Sequence, residues 1–201
     1  PSWLRAMGWM LRHPLSAMAA ARYVASLSQT PLHRRLMRLA LLFPAAELAR
    51  EAHEMQLDHV HIHSCANAAH VGALARLLGG ATYSLTLHGD LPVYGCDHAA
   101  KMRNAEFVSV VTRPLQQQVV STLGLSPSKL PVITMGVDTD RFRPSGNRSG
   151  VAGRLNMITV ARLNPTKGPV HALAAMRRAI DGGCDLRYTI VGEGPHREAI
   201  E

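Results

Sequence analysis

The sequence predicts an α/β protein with parallel sheets that is divided into two domains. Short apolar stretches rich in β-branched residues alternate along the chain with stretches in which apolar residues recur at helical spacing. Strands that alternate with helices in this way form parallel sheets. Residues 145–156 interrupt the alternation and are rich in Gly, Ser and Asn, which is the composition of a linker. We therefore expect a first domain at residues 1–144 and a second domain at residues 157–201.

The first 57 residues are predicted to form helices with a strong positive charge. Two sets of apolar residues recur at helical spacing: Trp3, Leu4, Met7, Met10 and Leu11, and Leu36, Leu39, Ala40 and Phe43. Residues 1–50 contain seven Arg and one Glu, which is +6 of the net charge of +8 of the whole chain. A basic amphipathic segment of this kind can lie on an anionic membrane surface. Packing of these helices on the sheet of their own domain, with the arginines in water, is the alternative.

Composition and spacing exclude several classes of protein. Nucleic acid is not an expected partner, because no aromatic platform or nucleic-acid-binding module accompanies the positive charge. No uncharged apolar run reaches the ~18 residues of a membrane span. Cys65, Cys96 and Cys184 lack the spacing of a disulfide framework or a zinc ribbon. We expect a cytoplasmic protein, with peripheral binding to the inner face of the cell membrane left open. The chain begins without Met, and we expect it to be an interior piece of a longer protein.

The first domain is predicted to alternate strands and helices after its basic segment. The expected strands are residues 59–63, 83–88, 106–112 and 131–135, and the expected helices are residues 45–57, 67–79 and 113–123. Three histidines of the first strand, His59, His61 and His63, share one face of it. Alternate strand residues lie ~6.6 Å apart, so a metal ion held by these three would need further ligands. Half-buried histidines at the edge of a site are the simpler interpretation.

His88 is the first candidate for a functional residue. It ends the predicted strand at residues 83–88 and is followed by Gly89 and Asp90. Ligands of open α/β sheets bind beyond the carboxyl ends of the strands, so His88 is placed for contact with a ligand. A histidine that bonds only to its own loop is the alternative. Asp90 and Tyr94 follow in the same loop, and we expect them on the acceptor side of the site.

The second domain opens with a predicted strand, loop and helix that can hold an anion. Its sequence is M-I-T-V-A-R-L-N-P-T-K-G, residues 157–168, and the loop carries Arg162 and Lys167. A guanidinium and an ammonium at a strand end can bind two oxygens of a phosphate. Ordinary solvated loop residues are the alternative for any single R-x-x-x-x-K pair.

A second strand, residues 186–194, is predicted to lie parallel to the first and to leave through a glycine-rich turn. This turn contains Gly192, Glu193 and Gly194. The dinucleotide-binding fingerprint would need a third glycine where this chain has Arg197, so NAD-type binding is excluded.

Taken together, V-A-R-L-N-P-T-K-G and V-G-E-G-P resemble the donor-binding half of family 4 glycosyltransferases, which have two Rossmann-like domains of the GT-B type. Residues 136–144, G-V-D-T-D-R-F-R-P, resemble the segment in which those enzymes leave the first domain, although the family often has Asn where Met135 stands. The resemblance covers residues 45–201. It implies that both domains are incomplete in this chain, and hence that the chain alone is inactive.

The resemblance also implies a reaction. A sugar would pass from a nucleotide-diphosphate sugar to a hydroxyl group of a glycan or lipid-linked acceptor, with retention at the anomeric carbon and without a metal or other cofactor. Arg162 and Lys167 would stabilise the departing diphosphate, and His88 would lie beside the transferred sugar in the cleft between the domains. Three residues would line the nucleotide side: Gly192, Glu193 and Gly194. Synthesis of cell-surface polysaccharide or glycolipid is the expected setting.

Three other functions are compatible with the sequence. A nucleotide-sugar epimerase uses the same two-domain architecture. A non-catalytic scaffold on a membrane surface would account for the basic first quarter, but it gives Arg162 and Lys167 no role. A metal-binding protein would depend on the histidine face of the first strand.

Overall fold

The computed structural model describes residues 2–144 and 153–201. The chain forms two compact units, Pro1–Val137 and Asp138–Glu201. Most of the predicted linker, residues 145–152, lies outside the described residues, and the first strand of the second unit begins at Leu155. The domain limits at residues 144 and 157 therefore stay a prediction.

The first unit contains a parallel sheet with helical crossovers, as predicted. Its strands are β1 (His59–Ile62), β2 (Thr82–Leu87) and β3 (Val108–Val110), and β2 is central. The helices of this sheet are α5 (Asn67–Leu77), α6 (His98–Met102) and α7 (Arg113–Leu123). Both pairings in the sheet are parallel. The carboxyl ends of all three strands consequently lie at one edge.

The core of this sheet lies around β2, because both neighbouring strands and the helices cover it. Five of the six residues of β2 are buried. Tyr83, Leu85 and Leu87 pack with Val108 and Val110 of β3. The interior position explains why this strand reads as a nearly continuous buried segment instead of an alternating one.

The predicted strand at residues 131–135 is wrong in its extent. Only Val132 pairs with the sheet, through one isolated parallel bridge to Val110. The N–H of Val110 donates to the carbonyl of Pro131 at 3.0 Å, and the N–H of Ile133 donates to the carbonyl of Val110 at 2.9 Å. Ile133 and Met135 are exposed, so no burial of alternate side chains extends the pairing.

The basic N-terminal segment is helical, as predicted. It forms α1 (Ser2–Arg12), α2 (Pro14–Ala25), α3 (Leu32–Arg38) and α4 (Leu42–Glu54). Helices α2 and α4 pack against α5, and α1 packs against α4. Small residues fill these contacts, namely Ala6, Ala20, Ala45, Ala46 and Ala49. Among the described residues, no helix is both long enough and apolar enough to cross a membrane.

The apolar faces predicted for these helices mostly do not face the core. Met10 packs on the core, but Leu11 is 75% exposed and Leu36 is 61% exposed. Further exposed apolar side chains of α1 to α3 are Trp3, Leu4, Met7, Leu15, Met18, Leu32 and Met37. Alanines, with Val24, Leu74 and Leu78, form the core between these helices, while these larger apolar side chains remain exposed. The helices nevertheless pack within their own unit with Arg12, Arg22 and Arg34 exposed, and this packing is against one another and against α5 and not directly on the strands.

The second unit forms the predicted strand-helix-strand arrangement. Its elements are β4 (Leu155–Val160), α8 (Pro169–Asp181) and β5 (Leu186–Val191), with β4 and β5 parallel. Gly168 precedes α8 with a φ of +62°, a left-handed conformation that glycine adopts without strain. Among the described residues of this unit only Leu163 and Pro169 are buried, and Val160 is 73% exposed.

Because few residues of the second unit are buried, we expect fast amide exchange there. In hydrogen–deuterium exchange of the 201-residue chain, we expect residues 157–201 to exchange within the dead time or shortly after it. Residues 84–88 and 107–111 should stay protected, because β2 and β3 lie in the buried core. Equal protection of β5 and β2 would contradict this prediction.

Candidate active site

The carboxyl edge of the first sheet carries a histidine after each of two adjacent strands. His63 follows β1 and His88 follows β2 directly. Both side chains are exposed. A hydrogen bond joins Nδ1 of His63 and Nε2 of His88 at 3.2 Å, and their rings stack with centroids 5.4 Å apart. His88 therefore lies where a ligand of the sheet would bind, and its imidazole bonds to the neighbouring strand end instead of its own loop.

The other two histidines of β1 bond to hydroxyl groups of β2. The ring nitrogens of His59 lie 2.7 Å from Thr82 and 2.7 Å from Ser84. Those of His61 lie 2.7 Å from Ser84 and 2.8 Å from Thr86. The parallel register sets this pattern, because each histidine faces one hydroxyl residue and reaches the next one on the same face.

The predicted half-burial of His59, His61 and His63 is wrong, since all three are exposed on the edge strand β1. Partial desolvation and the nearby His63, His59 and His88 lower the pKa of His61, which favours its neutral form. Within residues 2–144 and 153–201, no group of three or more His, Cys, Asp or Glu side chains could hold a metal ion.

The loop after β2 folds back on His88. The N–H of His88 donates to the hydroxyl of Tyr94 at 2.8 Å. The N–H of Leu91 donates to the side-chain carbonyl of Gln118 on α7 at 3.0 Å, which anchors the loop to the sheet. Asp90 is exposed in the same loop. The structure thus brings Tyr94 together with His88 and leaves the carboxylate of Asp90 in solvent.

A buried lysine lies beneath this loop, and the sequence analysis missed it. Lys101 of α6 is 1% exposed. Its Nζ donates to the carbonyl of Cys65 at 2.8 Å and to the carbonyl of Tyr94 at 2.9 Å. The segment H-A-A-K-M offers one signal, because its lysine stands among small apolar residues. The two carbonyls that it binds come from separate loops, which no local pattern indicates.

In the second unit the loops after β4 and β5 run side by side. The N–H of Leu163 donates to the carbonyl of Glu193 at 2.9 Å. A Cβ at Gly192 would collide with the carbonyl of Ala161, and one at Gly194 would collide with that of Leu163. Close approach of these two backbones is thus one reason for both glycines, and their role toward a nucleotide stays a prediction.

The charged residues of these loops are exposed. Arg162 and Lys167 form no ion pair with any carboxylate among the described residues, so both cations are accessible. The carboxylate of Glu193 is paired with Arg197. Contacts of Arg162, Lys167 and Glu193 with a donor stay a prediction.

A sequence profile described as Glycosyltransferase Family 4 matches residues 9–141. The chain belongs to glycosyltransferase family 4. The resemblance noted from the sequence is confirmed, although this match covers the first unit and ends before the motif at residues 157–168. The family signal therefore lies mainly in the unit that contains His88.

Two curated mycobacterial proteins are similar to this family 4 chain over most of its length. A GDP-mannose-dependent alpha-(1-6)-phosphatidylinositol monomannoside mannosyltransferase of Mycolicibacterium smegmatis is 30% identical over 173 residues, which cover 78% of this chain and 44% of that protein. A protein of the same description from Mycobacterium tuberculosis is 30% identical over 163 residues, covering 73% and 41% respectively. The chain thus spans less than half the length of the relatives it matches.

A solved structure shares the fold of this family 4 chain. The lipopolysaccharide outer core galactosyltransferase WaaB in its apo form superposes with a TM-score of 0.56 at 16% sequence identity. The match covers 83% of this chain and 45% of that chain. The predicted fold class, a partial GT-B fold with parallel sheets, is confirmed.

Proposed function

We propose that the protein transfers a sugar from a nucleotide-sugar donor to a hydroxyl group of a glycan or lipid-linked acceptor, with retention and without a metal. The position of His88 at the carboxyl end of the central strand in a family 4 unit carries this proposal. The mycobacterial relatives are named for GDP-mannose and for a phosphatidylinositol mannoside, which supports a nucleotide-sugar donor and a glycolipid acceptor. Synthesis of cell-surface glycolipid or polysaccharide is the setting that we infer.

His88 is suited to contact a sugar because one ring nitrogen remains available. Its Nε2 is engaged by His63 at 3.2 Å. Its Nδ1 has no hydrogen-bond partner among the described residues, so it can bond to a sugar hydroxyl group. Tyr94 holds the backbone of His88, which keeps the ring at the strand end. Asp90 and Tyr94 would then border the acceptor.

Stabilisation of the leaving diphosphate falls to Arg162 and Lys167 in this proposal. Negative charge grows on the leaving oxygens as the glycosidic bond breaks, so preorganised cations bind the transition state more tightly than the ground state. Both side chains are exposed and form no ion pair within the described part of the chain, which supports this assignment. Gly192, Glu193 and Gly194 would line the nucleotide side.

Replacing His88 by alanine should lower turnover by roughly 10²-fold, the effect of losing one preorganised polar group beside the reacting centre. Turnover is measured at saturating donor concentration in protein that transfers sugar. His59→Ala is the matched control, because His59 lies at the opposite end of β1 and its ring nitrogens bond to Thr82 and Ser84. Equal turnover of the His88 variant and the unsubstituted protein would remove His88 from the site.

The reaction class is tested by its products. Proton NMR of the product should show the anomeric configuration of the donor, and transfer should persist in EDTA. Appearance of a free epimerised nucleotide sugar without transfer would favour the epimerase alternative.

We infer that the 201-residue chain by itself does not transfer sugar. Its second unit buries only Leu163 and Pro169 among the described residues, which gives the donor loops little support. Calorimetry with nucleoside diphosphates should show little binding to this chain. A low-micromolar affinity, or measurable turnover, would contradict this inference.

We also propose that α1 to α3 dock on an anionic membrane. Large apolar side chains of these helices are exposed, Leu11 and Leu36 among them. Arg12, Arg22 and Arg34 are exposed and form no ion pair within the described residues. Apolar side chains beside free arginines match a surface that combines acyl chains with anionic head groups.

Vesicle binding should depend on salt, on lipid charge and on the apolar residues. Each Arg near an anionic surface contributes ~1 kcal/mol, so co-sedimentation with phosphatidylserine vesicles should be strong at low salt and weak at high salt. A variant with Leu11, Leu15 and Leu36 replaced by Gln keeps the charge and should bind more weakly. Equal recovery with neutral vesicles, or no recovery with either, would refute membrane docking.

A further inference from the structure

Lys101 is a buried lysine whose hydrogen-bond partners among the described residues are neutral groups. Its side chain is 1% exposed, and it forms no salt bridge with a carboxylate among the described residues. Its hydrogen-bond partners are the carbonyls of Cys65 and Tyr94, with Nδ1 of His98 at 3.4 Å. Burial of an ammonium group without a counterion is costly, and an apolar side chain of similar length would fill the same space. Packing alone therefore does not account for a charge at this position.

The two carbonyls that Lys101 binds belong to the two loops of the candidate site. Cys65 lies two residues after His63, in the loop that follows β1. Tyr94 lies in the loop that follows β2, and its hydroxyl accepts the N–H of His88 at 2.8 Å. One ammonium group thus joins the segments that present His63 and His88, whose rings are themselves hydrogen-bonded.

We propose that Lys101 is a positioning residue that holds His88 in place through Tyr94. The ammonium group fixes the backbone of Tyr94, the hydroxyl of Tyr94 fixes the backbone of His88, and the carbonyl of Cys65 fixes the loop of His63. Burial lowers the pKa of Lys101, as expected for a group held in a dry position between loops. The expected effect of Lys101 on sugar transfer rests on the proposed function of His88. The expected effect of Lys101 on the order of the loop does not.

The effect on the loop is read without any substrate. In Lys101→Met the amide of His88 should exchange at least about tenfold faster, the effect of weakening one hydrogen bond. Tyr94→Phe removes the acceptor itself and should raise the same rate while leaving the buried core untouched. Lys129→Met, at an exposed lysine, is the control and should change nothing at His88. An unchanged His88 exchange rate in folded Lys101→Met would overturn the proposal.

The effect on transfer is read from a double-mutant cycle with His88→Ala. Lys101→Met and Tyr94→Phe should each lower kcat about tenfold, with a smaller change in the KM for the donor. In the His88→Ala background neither substitution should lower kcat further. Equal losses in both backgrounds would show a merely structural role and overturn the proposal. Tyr94→Phe tests the link from Tyr94 to His88, and Lys101→Leu takes the place of Lys101→Met if that variant fails to fold. Full activity of His88→Ala would refute the proposed role of His88, and the exchange rates would still decide the positioning role of Lys101.

Discussion

Replacing Lys167 by alanine should lower turnover by ~10²- to 10³-fold in protein that transfers sugar, as expected when one preorganised cation is lost from a developing anion. Lys167 ends the short 3-10 turn Pro165–Lys167, and Gly168 follows with its left-handed conformation at the start of α8. The ammonium group is exposed and forms no ion pair in the described part of the chain. In the proposed donor site this ammonium group would meet the diphosphate at the start of the helix, where free N–H groups of a first turn favour an anion.

The comparison that isolates this effect uses a second cation of the same unit. Arg178 lies on α8, is exposed and forms no ion pair among the described residues, so Arg178→Ala changes the charge of the unit equally without touching the loop. It should leave turnover within a factor of about two. Both variants are measured at saturating donor, because loss of ground-state binding alone would raise KM and leave kcat unchanged. Unchanged kcat of Lys167→Ala under those conditions would remove Lys167 from the leaving-group site.

The regular elements of the sheet could be predicted because local patterns and tertiary burial agree there. Helix α7 begins at Arg113 and ends at Leu123 as predicted, since Thr112 caps its first turn and Gly124 ends it in the left-handed conformation. The predicted strand at residues 131–135 fails for the opposite reason. Its sequence is β-prone, but Ile133 and Met135 are exposed, so no burial of alternate side chains stabilises a longer strand.

The N-terminal helices show how composition can mislead about packing. Periodicity marks an apolar face of large residues such as Trp3 and Leu36, which packing on the sheet would bury. In the structure Ala45, Ala46 and Ala49 occupy the helix contacts, because small residues allow the close approach of α4 and α5. A search for hydrophobic periodicity gives leucine more weight than alanine. It therefore predicts the positions of helices well but predicts poorly which of their faces is buried.

Some residues of the candidate site could be predicted from the sequence, and others could not. His88 could be found from the sequence because its position depends on one feature, the end of a strand. Its partner His63 could have been found too, because H-x-H-x-H on one strand and T-x-S-x-T-x-H on the next align when the strands are parallel. Lys101 could not, because its two carbonyl partners are brought together only by the fold.

Acid should destabilise the first unit through His70. This residue lies on α5, is 1% exposed, and joins Nδ1 to the hydroxyl of Tyr23 on α2 at 2.8 Å. Its Nε2 has no hydrogen-bond partner among the described residues, so a second proton on the ring would be buried without an acceptor. Burial, together with the charges of Arg38 and Lys101, lowers the pKa of His70 from its ordinary 6.5 to about 3.

The direction of the effect follows from linkage. Since the folded pKa lies below the unfolded one, the unfolded chain takes up the proton first, and stability falls as the pH drops from about 6.5 toward about 3. A shift of this size corresponds to roughly 4 kcal/mol lost across that range, a large share of the stability of an ordinary domain. Denaturant titrations of the chain at a series of pH values measure the loss directly.

Two substitutions separate His70 from the other titrating groups. In His70→Asn the side-chain amide lies near the position of Nδ1 and can still bond to Tyr23, but it does not titrate. The midpoint of unfolding should therefore lose most of its pH dependence below about pH 6.5. His33→Asn, at an exposed histidine, should retain the full dependence. Equal acid sensitivity of His70→Asn and the unsubstituted chain would show that carboxylates, and not His70, set the acid limit of the fold.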